Sequence, residues 1–216
     1  MNCRGMALLT GLVLLAAISL LAITAAGSMT LQKHQAANFA DKIQAAANAR
    51  VAESYALAWL YSRADTERQD NCTDGCLLPV GIHQDQNIPD NPEFESTAWW
   101  QNVAVPAGGI PEPGETLAYV ATGSMEALWV MEELHFETAS EAEREAGYTG
   151  VGYYRIFSRG SGTNPTSIAV TERIVARPWG GEFKAMAFPP AGLLSEFCSQ
   201  FAEEQACGTL AWRQRR

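Results

Sequence analysis

The cysteines are the side chains whose type and spacing most directly predict chemistry. Of the five in the chain, four lie well beyond the N-terminus, at Cys72, Cys76, Cys198 and Cys207. Their spacings, C-x3-C and C-x8-C, match zinc sites poorly, so a zinc site is only the second interpretation. In an exported domain, four cysteines predict two disulfides, with three connectivities to choose from. Thr73-Asp74-Gly75 can turn the chain tightly enough to bring the Cα atoms of Cys72 and Cys76 to about 5.5 Å, which favours a local bond there.

Other reactive side chains form no recognisable catalytic motif. The chain has three histidines, His34, His83 and His135. None has a Ser or Cys nucleophile in a motif around it. Glu132 and Glu133 are adjacent in a predicted strand, so their carboxylates would point to opposite faces and could not act on one substrate atom. We therefore expect no enzyme and no cofactor.

An acidic stretch, Asp85–Glu95, offers oxygen ligands of the kind that Ca²⁺ prefers. The order of its acidic and amide residues differs from that of the ligands in an EF-hand loop, and the stretch lacks the central Gly of that loop. A solvated acidic turn is therefore the favoured interpretation, and no metal site is predicted.

The charge balance excludes one class of partner. The formal net charge is −9, and no basic stripe is present to neutralise phosphates, so nucleic acid is not an expected partner. The one basic cluster, Arg213–Arg216, is interpreted as a frayed, solvated terminus.

One element must carry all of these groups. The stretch Met6–Met29 contains no charged residue and is long enough to span a bilayer as a helix. Apolar residues then recur with the three-to-four spacing of one helix face, at Leu31, Ala36, Phe39, Ile43, Ala47, Val51, Tyr55, Ala58 and Trp59. This pattern predicts one continuous helix from about Met6 to about Arg63, with a membrane half and an amphipathic half. A cleaved secretory signal is the alternative, although its apolar region usually runs only 7–15 residues.

The rest of the chain predicts a single domain with a sheet. Ala64–Glu115 contains prolines at a density that excludes long helices and central strands, and Trp99 and Trp100 are expected to cover the flank of the long helix. Residue types enriched in strands occur in four segments, Leu117–Ala121, Ala127–His135, Val151–Arg159 and Ser167–Ala176. Solvated helical turns are predicted at Ala139–Ala146, and a short amphipathic helix beyond the sheet at Leu193–Ala206. The fold class is α+β, with the long N-terminal helix packed on an antiparallel sheet.

Three segments carry a resemblance to a known family. Arg4-Gly5-Met6-Ala7-Leu8-Leu9, followed by the long apolar helix, resembles a prepilin-type (class III) signal. Leu31–Asn38 is similar to the LQERMAGN-type stretch of the same family, with Gln35 and Ala37 in place of its Met and Gly. Tyr153–Gly160 resembles the YRITARG strand of PilX-type minor pilins of type IV pili.

The resemblance implies a division of the chain. Residues 1–5 would be a prepilin leader, 6–29 a transmembrane helix, 30–63 its amphipathic continuation and 64–216 a periplasmic pilin head with a C-terminal extension. A leader peptidase would cut after Gly5, and Met6 would become the methylated N-terminus. Cys3 would leave with the leader, and a Cys198–Cys207 bond would close a short C-terminal loop, as in pilins.

Thr10 departs from the commonest pilin pattern. Most pilins carry Glu at the fifth mature position, and PilX-type pilins and the K-type pseudopilins of type II secretion tend to lack it. A K-type pseudopilin is therefore the runner-up, and a single-pass anchored periplasmic domain without a filament is the alternative from another class.

The expected function is a minor pilin that takes part in type IV pilus assembly, in a tip or priming complex. The implied partners are other minor pilins, the major pilin, prepilin peptidase and the inner-membrane assembly platform, with a tip adhesin as a further candidate. The protein would span the inner membrane once, with its head in the periplasm, and then occupy the pilus tip at the cell surface.

Overall fold

The structure is a computed structural model that describes residues 4–64, 77–78, 88–108, 127–188, 193–202 and 205–216. The chain divides into two compact units, Met1–Asp41 and Lys42–Arg216.

A single helix, α1, runs from Arg4 to Ser62, which confirms the predicted continuous helix. In the first unit its large apolar side chains from Leu9 to Ile23 are 59–70% exposed. By length and composition α1 could cross a membrane, and no part of its most apolar window is buried. A membrane anchor would account for this apolar surface, because soluble monomers rarely expose so large an apolar patch.

Within the described residues, the second unit contains an antiparallel sheet of six strands. The strands are β1 (Leu77–Leu78), β2 (Val105–Pro106), β3 (Ala127–Thr138), β4 (Tyr148–Ser161), β5 (Ile168–Gly180) and β6 (Gly208–Gln214). Their order is β1-β3-β4-β5-β6, and β2 also pairs with β3. Three predicted strands are thereby confirmed as β3, β4 and β5. The fourth, Leu117–Ala121, lies outside the described residues.

The last part of α1 packs on one face of this sheet. The buried residues that form this core come from the helix, from four strands and from the C-terminal segment. They include Ala52, Ala56, Trp59, Leu60, Trp129, Met131, Tyr154, Ile156, Val175 and Phe197. The α+β arrangement predicted from the sequence is therefore present in the second unit.

The helix face against the sheet is only partly the one that apolar spacing indicated, since Ala58 and Trp59 at the end of the predicted stripe are buried but its earlier residues are not. Ile43 and Val51 of the predicted stripe are 53% and 46% exposed. The buried line consists instead of Ala45, Ala49, Ala52, Glu53 and Ala56. Alanine contributes little to an apolar pattern, but its small side chain allows the helix backbone to approach the sheet closely.

The opposite face of the sheet is also covered, by a short helix, α2 (Thr97–Val103). Trp100 and Val103 of this helix pack with Leu128, Val130 and Phe157 of the sheet. Trp100 therefore does not cover the flank of the long helix, and that prediction was wrong. Because both faces are covered, the run from Leu128 to Glu133 in β3 is buried without interruption, which explains its weak alternation.

The described part of the segment between α1 and β3 contains only short elements. Besides α2 and the short strands β1 and β2, it contains a 3₁₀ turn at Pro92–Phe94. The exposed helix α3 (Glu141–Glu145) lies between β3 and β4 and begins with a capping box formed by Ser140 and Glu143. The predicted solvated turns at Ala139–Ala146 are thereby confirmed.

The C-terminal segment differs most from the prediction. Of the amphipathic helix expected over Leu193–Ala206, the residues that the structure describes form only one turn, α4 (Ser195–Cys198). After it the chain returns to the sheet as β6, which pairs with β5 from Thr171↔Gln214 to Ala176↔Gly208. The basic end is therefore part of the sheet, and its interpretation as a frayed terminus was wrong.

Gly160 marks the closest approach of α1 to the sheet. A Cβ built at Gly160 would lie 2.8 Å from the carbonyl carbon of Asn48 and closer still to Ala45 O and Ala49 N. All three are backbone atoms of a helix, so no side-chain rotation could relieve the overlap. Gly160 thus allows the direct contact between helix and sheet.

We predict that Gly160→Val lowers the free energy of unfolding by about 3 kcal/mol, because the added side chain forces the helix away from β4. Thr163→Val, at an exposed position of the same hairpin, is the matched control and should change stability by less than about 0.5 kcal/mol. Denaturant unfolding of the full chain in detergent micelles measures both. Equal stability of the two variants would contradict the close approach.

Candidate assembly surface

The outward face of α1 is the candidate functional surface of the second unit. Between Lys42 and Ser54, the positions on the side away from the buried alanines are Ile43, Ala47, Arg50, Val51 and Ser54, of which all but the half-buried Ser54 are exposed. Further along the same line Ala58 and Tyr61 are buried, so the outward face covers only the first turns of this segment. Their spacing of three, four and seven residues places them in one line along the helix. A helix with one apolar line against its own sheet and a second line exposed is suited to pack against another helix.

Arg50 is the only charged residue in this line. Its guanidinium forms no ion pair within the described residues, and its backbone carbonyl accepts a 3.0 Å hydrogen bond from the Ser54 hydroxyl. The only acidic residue of the segment from Lys42 to Ser62 is Glu53. Glu53 is 5% exposed, so the outward line carries one positive charge and no negative charge.

Glu53 determines how the helix is rotated on the sheet. Its carboxylate forms an ion pair with Arg173 of β5 and accepts a hydrogen bond of 3.0 Å from the indole N–H of Trp212 in β6. Thr171 also donates to it, at 3.2 Å. Because a buried carboxylate is costly unless it is paired and hydrogen-bonded, rotation of α1 away from these three groups is disfavoured. The outward face is thereby held outward.

Arg177 of β5 binds the end of the same helix. It is fully buried and its guanidinium donates to the carbonyl oxygens of Leu60 and Arg63. These acceptors belong to the last turn, where backbone carbonyls lack helical partners and a cation is favourable. The guanidinium also lies 3.6 Å from the ring centroid of Trp179, a cation–π contact that holds it in place.

On the other face of the sheet, buried carboxylates anchor the C-terminus. Glu172 of β5 accepts hydrogen bonds from Arg213 and Arg215, at 2.7 and 2.6 Å. Arg215 also forms a 3.0 Å ion pair with Glu93. Burial alone would lower the pKa of Arg215, but the hydrogen bonds to Glu172 and Glu93 raise it above its ordinary value. These contacts explain why the basic end joins the sheet.

The two adjacent carboxylates of β3 point to opposite faces, as predicted. Glu132 pairs with Arg155, and burial raises its pKa in spite of that cation. Glu133 lies beside the phenol of Tyr154 on the other face. Burial and then the charge of Glu133 raise the pKa of Tyr154, whose oxygen accepts a 2.8 Å hydrogen bond from Trp179.

A cleft of about 190 Å³ lies beside the β3–β4 connection and is lined by Glu137, Glu143, Tyr153 and Gln205, among others. Both carboxylates already have donors. Glu137 accepts from the Tyr153 hydroxyl at 3.0 Å, and Glu143 accepts from the backbone and hydroxyl of Ser140. Within the described part of the chain, no three His, Cys, Asp or Glu side chains come together as metal ligands.

The residues predicted from the sequence to be functional lie in separate places. Gly5 and Met6 are in the first turns of α1, and Thr10 is exposed on the same helix. Cys198 and Cys207 form a disulfide with a Cα–Cα distance of 5.5 Å, which confirms that pairing. Cys72, Cys76 and the first part of the acidic stretch Asp85–Glu95 lie outside the described residues.

Sequence reasoning did not single out Arg50, although the signal was present. It is the one charge in an otherwise apolar and small-residue line, but only the burial of the alanines shows that this line faces outward.

The chain matches no protein-family model, and comparisons with curated proteins and with solved structures gave no match.

The disulfide should contribute measurably to stability, because Cys198–Cys207 closes a loop of sequence separation 9 directly before β6. Replacing both cysteines by Ser should lower the free energy of unfolding by about 2–4 kcal/mol, through the greater freedom of the unfolded chain. Denaturant unfolding without reductant measures this loss. Added reductant should bring the wild-type chain close to the stability of the variant, and a double variant as stable as the wild type would contradict the prediction.

Proposed function

We propose that the protein is a PilX-type minor pilin that takes part in type IV pilus assembly through its N-terminal helix. The observation that carries this proposal is the exposed outward face of α1 in the second unit, on a helix already bound to its own sheet by the opposite face. A helix held in this way can pack against a neighbouring subunit without any rearrangement of the head.

The first unit supports the proposal in a second way. Its apolar, exposed stretch of α1 suits both a bilayer and the core of a bundle of helices. Gly11 and Gly27 lie within it, and no atom outside the local helix would contact a Cβ at either position. Small residues on apolar helices permit close approach of a second helix.

The strand similar to the YRITARG motif has a central position in the head. It is part of β4, which pairs with β3 on one side and β5 on the other. Its residues contribute to the core on both faces, Tyr154 and Ile156 towards α1 and Phe157 towards α2. The motif therefore lies where the scaffold of the head is built, as expected for a family-wide structural strand.

The second candidate is a K-type pseudopilin of a secretion system. PilX-type pilins and K-type pseudopilins both tend to lack Glu at the position that Thr10 occupies here. The proposed partners are other minor pilins, the major pilin, prepilin peptidase and the assembly platform, with the head in the periplasm until the subunit reaches the pilus tip.

Processing tests the proposal directly. We predict that the mature protein begins at Met6 and is N-methylated, because Gly5 ends a short basic leader directly before the apolar run. Intact-mass analysis and N-terminal sequencing of the protein purified from membranes measure this. Gly5→Val should leave the precursor uncut, whereas Gly11→Val, inside the apolar run, should be processed normally. A mature N-terminus near Ala26, or an unprocessed wild-type chain, would contradict the proposal.

The position of the subunit follows from Thr10. In pilins that carry Glu at the fifth mature position, its carboxylate neutralises the N-terminal ammonium of the next subunit. This pairing matters because an uncompensated charge in an apolar core is costly. A hydroxyl supplies no charge, so the subunit is least harmful where nothing lies above it.

We therefore predict a few copies at the distal end of the pilus, and fewer pili when the protein is lost. Immunogold labelling with an antibody to the head, together with pilus counts in a deletion strain, tests both points. Labelling along the whole shaft at the density of the major subunit would exclude a tip position.

A further inference from the structure

We propose that the outward face of α1 selects a different protein as its neighbour, namely a helix that presents a carboxylate to Arg50, and disfavours a second copy of this chain. The inference rests on the proposed function, because it assumes that the face packs against another helix, and it adds the chemistry of the partner.

The exposed side chains around Arg50 define what the face requires. Ile43 and Val51 lie on the same line and expose 53% and 46% of their surface, while Ala47 between them leaves room for a close approach. Docking a helix here removes water from apolar side chains, which is favourable. The same step removes water from the guanidinium of Arg50, which is unfavourable unless a partner replaces the lost hydrogen bonds.

The chain itself cannot supply that partner group in the described structure. Glu53, the one carboxylate of α1 between Lys42 and Ser62, is buried against the sheet and engaged by Arg173 and Trp212. Moving it to the outward face would leave Arg173 without its counter-ion. Among the residues that the structure describes, none therefore offers Arg50 a carboxylate, and this group is assigned to the partner helix.

A second copy fits this requirement poorly. If two copies pack through the same face in register, Arg50 meets the Arg50 of the other copy, and like charges are brought together. If they pack out of register along the same line, Arg50 meets Ile43, Ala47, Val51 or Ser54, none of which carries a negative charge. A partner helix with Asp or Glu in its apolar line satisfies the guanidinium, and the mismatch with other partners supplies specificity.

Charge-swapped copies of the chain test the inference without a known partner. Two differently tagged full-length chains, each with Ala47→Cys, are co-expressed and oxidised in membranes, and the mixed cross-linked dimer is quantified. Three pairs are compared: Arg50 with Arg50, Arg50 with Arg50→Glu, and Arg50→Glu with Arg50→Glu. Pairs without Ala47→Cys give the background from the native cysteines, and pairs with Lys184→Glu, at an exposed position of the head, control for a general charge effect.

We expect the mixed pair to cross-link roughly two- to fivefold more than either like-charged pair, the range given by one partly exposed ion pair. The Lys184→Glu pairs should match the Arg50–Arg50 pair. Equal cross-linking of all three charge pairs, or strongest cross-linking of Arg50 with Arg50, would overturn the inference and leave helix packing intact. Cross-linking at background in every pair would also overturn the inference, because the charge-matched pair would then fail to pack through this face, whereas the proposed function would still be tested by processing at Gly5.

Discussion

The structure depends on the direct contact between the backbone of α1 and the backbone of β4 at Gly160. The contact is possible because alanines line this side of the helix and the strand has no side chain at that point. Two buried charge clusters then fix the helix on the sheet. Glu53 sets its rotation through Arg173 and Trp212, and Arg177 binds the carbonyl oxygens of its last turn.

This arrangement has a consequence for the side of the helix that faces away. Between Lys42 and Ala56 the head binds α1 through small residues and the buried Glu53, so the larger apolar residues Ile43 and Val51 are left exposed. In an isolated soluble domain that exposure would be a liability. In a subunit that packs against other helices it is the contact surface, and the head needs no conformational change to present it.

The sequence predicted the elements better than their packing. Residue spacing was enough for α1, and the β-branched and aromatic runs were enough for β3, β4 and β5. The strand β6 was missed because Gly208–Gln214 carries few strand-forming residues, and its place depends on Glu172 and Glu93, which are distant in sequence. Trp100 was assigned to the wrong face because local spacing does not reveal that both faces of the sheet are covered.

The candidate surface could be predicted only in part. Apolar spacing found the line containing Ile43 and Val51, but it could not show that the line faces away from the sheet. The orientation of the helix depends on Ala45, Ala49 and Gly160. Their small side chains add little to an apolar spacing pattern, but they decide where the helix and the sheet can approach each other closely. The Cys198–Cys207 disulfide was predicted from the family resemblance. The two cysteines are close in sequence, and the structure brings their Cα atoms to 5.5 Å.

The most direct measurement of the central claim is quantitative mass spectrometry of filaments sheared from the cell surface. We predict that the protein is recovered with the filaments, with Met6 as its first residue and at far lower abundance than the major subunit. We also predict that Val51→Asp on the outward face strongly reduces this recovery, while the exposed Thr163→Asp on the head does not. Recovery only in the membrane fraction, with no filament-associated peptides, would contradict the account.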